Sequence, residues 1–501
     1  MSKLAPSNIT LIRGLTLVAA ASIVIGNVIG TGVFLKARIM TCNVGSPDMV
    51  IIVWVVAGIL SLAGALTYAE LAAMMPRAGG EYVFMREAYG PRWGFLYGWM
   101  QIFIAKTGSQ AAVSVAFAGF LNELTGKAIE KPFFTYNLFG NKVGFGYLQV
   151  IALSLIAIFT LINCATVIVS GRIATVLTGV KIALVLGIGI GAFVLASGDW
   201  SHYSMANAGG LCQGVPAGTI LGVPGFSAAM LGALWGYDGW NNLTLVAGEV
   251  KDPQRNIPRA LIGGTALIIL LYVFINIAYF YVLTPTQVAS VSKDGSVAVE
   301  VARTFMSPFS ESLKSLVAGL IAACLMASSL GTLHTSILTG ARVPYAMARD
   351  RLFMPRLARL SPRTHVPIGA LVVQGIWAGI LTLSGSFDLL TDYVIFGSWI
   401  FYGLTTASVF IFRRKMPNAE RPYKAWGYPV VPILFLLVTG FLLFSTLLPD
   451  PAAGLKGINL NALVGLGLIA LGLPVYWFLS RRHHVVYEGE PADEEDSAKK
   501  L

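Results

Sequence analysis

Apolar runs separated by short polar and charged clusters recur from residue 14 to residue 480. Most reach the roughly 20 residues that a helix needs to cross the hydrocarbon of a bilayer. They predict twelve spanning helices at 14–38, 46–74, 92–121, 146–167, 171–197, 219–247, 260–283, 313–341, 368–385, 390–411, 428–448 and 459–480. These are numbered here as spans 1 to 12.

Two of the runs are interrupted at mid-depth. In span 1 the stretch IVIGNVIGTGVFLK, residues 23 to 36, carries three glycines, an asparagine and a threonine where leucines would be ordinary. In span 6 the stretch GALWGYDGWNN, residues 232 to 242, repeats the pattern. Backbone polar groups in hydrocarbon must be satisfied, so a helix opens there only where protein or water covers the break. The alternative for span 1 is close packing, since Gly26 and Gly30 form a small-xxx-small face. Breaks in both spans would occupy the first helix of each half of a five-plus-five inverted repeat, here 14–197 and 219–411. The remaining pieces are an arm at 1–13, spans 11 and 12 at 428–480, and a tail at 481–501. That tail, containing EGEPADEEDSAKK, reads as disordered.

Composition agrees with a polytopic all-α membrane protein: 56% of residues are hydrophobic, 12% are charged and the mean hydropathy is +0.73. No cleaved leader is expected, because the first apolar run is too long for a signal core and lacks a small-residue cleavage site after it. With boundary residues counted in the nearest segment, 24 of the 35 lysines and arginines fall on the N-terminal side of the spans and 9 on the other, while Lys106 and Lys181 lie within spans. By the positive-inside rule both termini are expected in the cytoplasm.

The net charge of +11 therefore reflects topology and not a nucleic-acid partner. No histidine cluster or zinc spacing is present, so no metal or cofactor is expected. No HExxH or GxSxG motif points to an enzyme. Cys42 and Cys212 fall in separate outer loops, where a disulfide is possible and free thiols are the expectation; Cys164 and Cys324 lie inside spans.

Two broken helices side by side suit a small zwitterion. The amino end of the outer half-helix favours a carboxylate, and carbonyls freed by unwinding favour an ammonium. An α-amino acid carries both groups.

The segments GNVIGTGVF, YAELAAMMPRAGGEYVFMREAYGPRWGFLYGW and RPYKAWGYPVVP resemble the amino acid–polyamine–organocation superfamily, whose fold is the leucine-transporter type with broken helices 1 and 6 and two additional helices. Within it, IAKTGSQAAVSVAFAGFL, LWGYDGWNNL and SSLGTLHTSILTGARVPYAMARD resemble the L-type amino acid transporters and their bacterial relatives. Residues 122–145 lack the cysteine by which the animal light chains hold a heavy chain. That departure favours the bacterial side, an inner-membrane location and no disulfide-linked partner.

The resemblance implies a sodium-independent carrier of neutral α-amino acids working by exchange, with proton symport as the alternative. A sensor or a channel is a more distant reading. Gly30, Thr31 and Gly32 match the positions that bind the substrate carboxylate, with Val28 and Ile29 offering carbonyls to its amine. Trp235 matches a closing aromatic, and Gly236 and Tyr237 continue the unwound segment. Asp238 either contacts substrate or caps the broken helix, and Asn241 and Asn242 share that ambiguity. Lys181 matches a lysine that stands in for the sodium of related carriers, as a fixed charge or a proton carrier, and Tyr272 matches a position touching the same region. Lys106 reads as a structural tie, and Ser109 one turn on is a candidate pocket residue. Glu70 with Arg77, and Glu249 with Lys251, flank span ends where gating ion pairs could form.

Overall fold

Ser46 and Pro47 show how local chemistry starts these helices. The serine hydroxyl accepts from the Met49 amide, and the proline, lacking an amide proton, takes the first helical position of Pro47–Met74. Thr16, Thr166 and Ser310 cap spans 1, 5 and 8 in the same way. The computed structural model describes residues 9–138, 141–206, 210–292, 295–306, 309–383, 387–447 and 460–482.

Each of the twelve predicted apolar segments contains a helix, with spans 1 and 6 interrupted. Among the described residues, seven helical stretches are long and apolar enough to cross a membrane, among them Pro47–Met74, Val167–Leu195 and Pro253–Val282. Tyr147–Asn163 and Ile368–Thr382 are shorter apolar helices. The protein is thus a mostly helical polytopic membrane protein. The predicted disordered tail, apart from its first two residues, lies outside the described residues.

Three features depart from expectation. The loop after span 3 forms an antiparallel hairpin, Pro132–Leu138 with Asn141–Gly146, in which Phe134 stacks on Phe145 across the strands. Span 3 carries a π-helical turn at Gln101–Ala105, immediately before Lys106. Cys42 and Cys212 are bonded, against the expectation of free thiols. The end of span 1 and the loop before span 6 bring their Cα atoms to 5.7 Å across 170 residues of sequence, a proximity that no local pattern encodes.

The elements around the breaks pack as one buried core. Span 1 lies against spans 5, 7 and 8, and span 2 against span 7. The arm is pinned under span 6, where the Leu15 amide donates to the Glu249 carbonyl at 2.9 Å and the Lys251 amide to the Leu15 carbonyl at 2.8 Å.

Candidate functional site

Span 1 is two helices, Leu17–Val28 and Gly32–Val44, parted at Ile29, Gly30 and Thr31. At the start of the second helix the Phe34 and Leu35 amides donate to the Thr31 carbonyl at 3.2 Å each, and those of Gly32 and Val33, with no carbonyl one turn back, face the break. None of the three glycines there adopts positive φ. Gly26 meets Thr178 of span 5, and Gly32 lies under Gly236 and Trp235 of span 6, where an added Cβ would stand 3.1 Å from each. Close approach, and not an unusual backbone, is what these two glycines provide.

The carbonyls released on the other side of the break are held by side chains. Lys181, fully buried on span 5, donates from Nζ to the Gly26 and Ile29 carbonyls at 2.6 Å each and to Thr332 Oγ1 at 2.8 Å. Ser328 donates to the Ile29 carbonyl at 3.2 Å. All of these acceptors are neutral oxygens.

Span 6 breaks in the same layer. Helix Gly222–Tyr237 ends at Asp238, and a 3₁₀ run, Trp240–Glu249, continues the chain. Gly239 joins them at φ 104°, a conformation in which an added Cβ would also stand 3.1 Å from Asn27 Cβ. Gly239→Ala is therefore expected to weaken the fold by about 1–3 kcal/mol, since the backbone is strained and the neighbour crowded. Thermal unfolding of the purified variant checks this, and an unchanged midpoint would contradict it.

Tyr272 of span 7 connects the two breaks. Its buried hydroxyl lies 2.9 Å from the Val28 carbonyl and 3.0 Å from the Gly236 carbonyl, and its one proton serves either. Trp235 lies over Gly32 and beneath the Lys36 ammonium, 4.7 Å from its ring centre.

On the N-terminal side of the breaks, a cavity of about 40 Å³ is lined by Asn27, Lys106, Ser109, Asp238, Thr332 and Tyr402, among others. That volume admits a water and not an amino acid. Polar contacts close it. Lys106 Nζ donates to Asn242 Oδ1, and the Tyr402 hydroxyl donates to Asp238 Oδ1 at 2.6 Å. Asn241 Nδ2 donates to Glu81 at 2.8 Å, and Tyr68 and Tyr97 each donate to the same carboxylate at 2.6 Å. Burial pushes the Glu81 carboxyl above its ordinary range, and those three hydrogen bonds oppose the shift.

Ion pairs seal the helix ends on the N-terminal face, but with partners other than those expected. Glu249 is bidentate to Arg342, at 2.7 and 2.9 Å, with both side chains fully buried. Glu70 takes Arg413 at 2.7 Å and Arg421 at 3.4 Å. Neither Arg77 nor Lys251 supplies these contacts.

Val28, Ile29, Gly30, Thr31, Gly32, Trp235, Gly236, Lys181 and Tyr272 thus meet in one layer, with Ser109 and Asp238 on the adjoining cavity. Tyr237 turns away, donating to the Trp54 carbonyl at 3.1 Å and packing on span 2. Asn241 also points elsewhere, into the Glu81 cage. Sequence reading passed over Ser328, Thr332, Ser336, Tyr402 and Glu81. The first three recur every four residues along span 8, on one face of a helix that also carries Ser329, His334, Thr335 and Thr339.

With this geometry in hand, comparison with known proteins is specific. The family described as amino acid permease matches residues 15–470. The chain is 32% identical to the serine/threonine exchanger SteT of Bacillus subtilis (strain 168), over 93% of its own length and 96% of that protein's. It is 29% identical to the b(0,+)-type amino acid transporter 1 of Mus musculus, covering 87% and 83%. It is 30% identical to the large neutral amino acids transporter small subunit 2 of the same organism, covering 94% and 81%.

Proposed function

Since the chain belongs to the amino acid permease family and is a membrane transporter, not an enzyme, we propose that it exchanges neutral α-amino acids without sodium, by alternating access. Its place is a bacterial inner membrane, with both termini in the cytoplasm, as the lysine and arginine distribution favours.

The observation that carries this reading is the Lys181 ammonium seated on the carbonyls of the span 1 break. A cation is already in place where unwinding leaves partial negative charge, so none need be recruited from solution. The amides of Thr31 and Gly32, with that of Gly30 once it leaves the Val28 carbonyl to which it donates at 2.7 Å, would receive the substrate carboxylate, and the Val28 and Ile29 carbonyls would each exchange one of their present donors for the substrate amine. Trp235 would close over the bound molecule, and the small polar cavity would widen as a bundle of spans 1, 2, 6 and 7 rocks about the midplane site. In this conformation Asp238 accepts from the Tyr402 hydroxyl, and the 3₁₀ run beyond it starts without a side-chain cap. The printed names of two relatives, a serine/threonine exchanger and a large neutral amino acids transporter, support exchange and neutral substrates. A disulfide-linked partner is not expected, since Cys42 and Cys212 bond each other.

Proton symport is the second reading, favoured by one feature: the hydrogen-bond acceptors around Lys181 are all neutral, so no carboxylate fixes its charge. One experiment separates the two. The purified protein in liposomes, without sodium, is expected to take up labelled serine, threonine or leucine only when an amino acid is enclosed. Uptake driven by an inward proton gradient into empty liposomes would replace exchange by symport. No saturable uptake of any amino acid would remove both.

A further inference from the structure

Gly32 and Lys36 stand four residues apart on the second helix of span 1, Gly32–Val44, and so share one of its faces. The Trp235 indole lies along that face. Its Cζ3 and Cε3 atoms would stand 3.1 and 3.3 Å from a Cβ on Gly32. The Lys36 ammonium sits 4.7 Å from the ring centre, within the range at which an aromatic face attracts a cation. The lysine stem reaches the ring past Gly232, three residues before Trp235 in the facing helix Gly222–Tyr237, where a Cβ would stand 3.9 Å from Lys36 Cδ. Both side chains are half-buried, so the ammonium is partly withdrawn from water, where such a contact is stronger.

Other tryptophans are fixed more firmly. Trp99 and Trp377 donate from Nε1 to the Leu468 and Phe103 carbonyls at 3.0 and 3.1 Å, and both pack on the Phe103 ring. Among the described residues Trp235 makes neither an indole hydrogen bond nor a ring–ring contact, and the cation on its face is the polar hold upon it. A hold of this kind suits an aromatic that lifts to admit a substrate and settles to retain it. It is strong enough to bias the ring between two positions and too weak to fix it in one.

We propose that Lys36 is a positioning residue of the gate: its ammonium holds the Trp235 indole over the span 1 break, and so sets how tightly a substrate beneath the ring is retained. This rests on the reading of Trp235 as the aromatic that closes over the amino acid. Lys36 itself touches the ring and acts on the substrate through it.

Exchange of labelled serine, threonine and leucine is measured in liposomes holding the full-length protein, with tryptophans carrying one to four fluorine atoms placed at position 235. Fluorine drains the ring face of the negative charge that attracts a cation and barely alters its shape. KM for the best-exchanged of the three is expected to rise stepwise with fluorine number, to about fivefold at the end of the series, while the maximal rate changes less. In Lys36→Met, KM is expected to start about fivefold up and to stay there across the same series. Lys36→Arg, which keeps a cation on the ring, is expected to recover most of that loss. The series in the protein that retains Lys36 tests the proposal even if Lys36→Met is unstable. A flat series there, or the same slope with and without Lys36, would overturn the positioning role and leave exchange as proposed. No exchange of any of the three by the unsubstituted protein would instead remove the reading of Trp235 as a gate, and this role with it.

Discussion

Lys181→Met is expected to reduce amino-acid flux by about a hundredfold or more while the protein still folds and inserts. Methionine keeps most of the stem volume but donates nothing, so the Gly26 and Ile29 carbonyls and Thr332 Oγ1 each lose a hydrogen bond. Each lost hydrogen bond to a charged donor costs about 1.5–3 kcal/mol, although Ser328 still reaches the Ile29 carbonyl at 3.2 Å and Thr332 the Gly26 carbonyl at 3.3 Å. About 3 kcal/mol placed on a conformational step of transport slows it more than a hundredfold. Lysine is the side chain that fits here, because the span 8 backbone passes close by: a Cβ on Gly331 would stand 2.7 Å from Lys181 Cε. The check is uptake into liposomes, normalised to protein recovered as a monodisperse peak. Flux within twofold of the unsubstituted protein would remove Lys181 from the mechanism.

The second large effect concerns stability. Arg342→Met strands the Glu249 carboxylate where neither side chain reaches solvent. Removing one partner of a buried pair typically costs about 3–5 kcal/mol, because an uncompensated charge remains. Glu249→Leu strands the guanidinium in the same way, although Arg342 keeps its bond to the Leu338 carbonyl at 2.6 Å. The double variant is expected to recover most of the loss, since replacing both charges with apolar groups of similar volume is often neutral. A thermal-unfolding cycle over the four proteins measures the coupling. Additive losses would mean that the pair does not act as a unit, and the closure of spans 6 and 8 on this face would need another explanation.

Both effects arise from residues that a sequence reader would single out, but for reasons of unequal depth. Lys181 stands out because an ammonium in mid-span is costly anywhere in hydrocarbon, so its isolation along the chain already signals a buried role. Glu249 stands at a span end, where charges are common, and nothing nearby in sequence indicates that its partner lies 93 residues away. Tyr237 and Asn241 make the same point within the span 6 break. The glycines announce that the helix opens, but which neighbouring side chains face the opening depends on a turn at Gly239 and on the 3₁₀ winding beyond it. Glu81 escaped notice because a glutamate at a helix start between two spans looks like an ordinary interfacial charge, whereas the fold encloses it with two tyrosines and an asparagine.

What the chain alone determined is whatever depends on neighbours within a turn or two. Apolar run length set the number and place of the helices, serine and threonine caps set several starts, and glycine-rich interruptions set the two breaks, because hydrocarbon burial and helix hydrogen bonding are local conditions. The tertiary structure decided what closes each exposed group. Lys181 meets the Ile29 carbonyl across 152 residues, Cys42 meets Cys212 across 170, and Asn241 meets Glu81 across 160. Such meetings follow from how the helices pack, which the sum of many small contacts settles and no single stretch of sequence records.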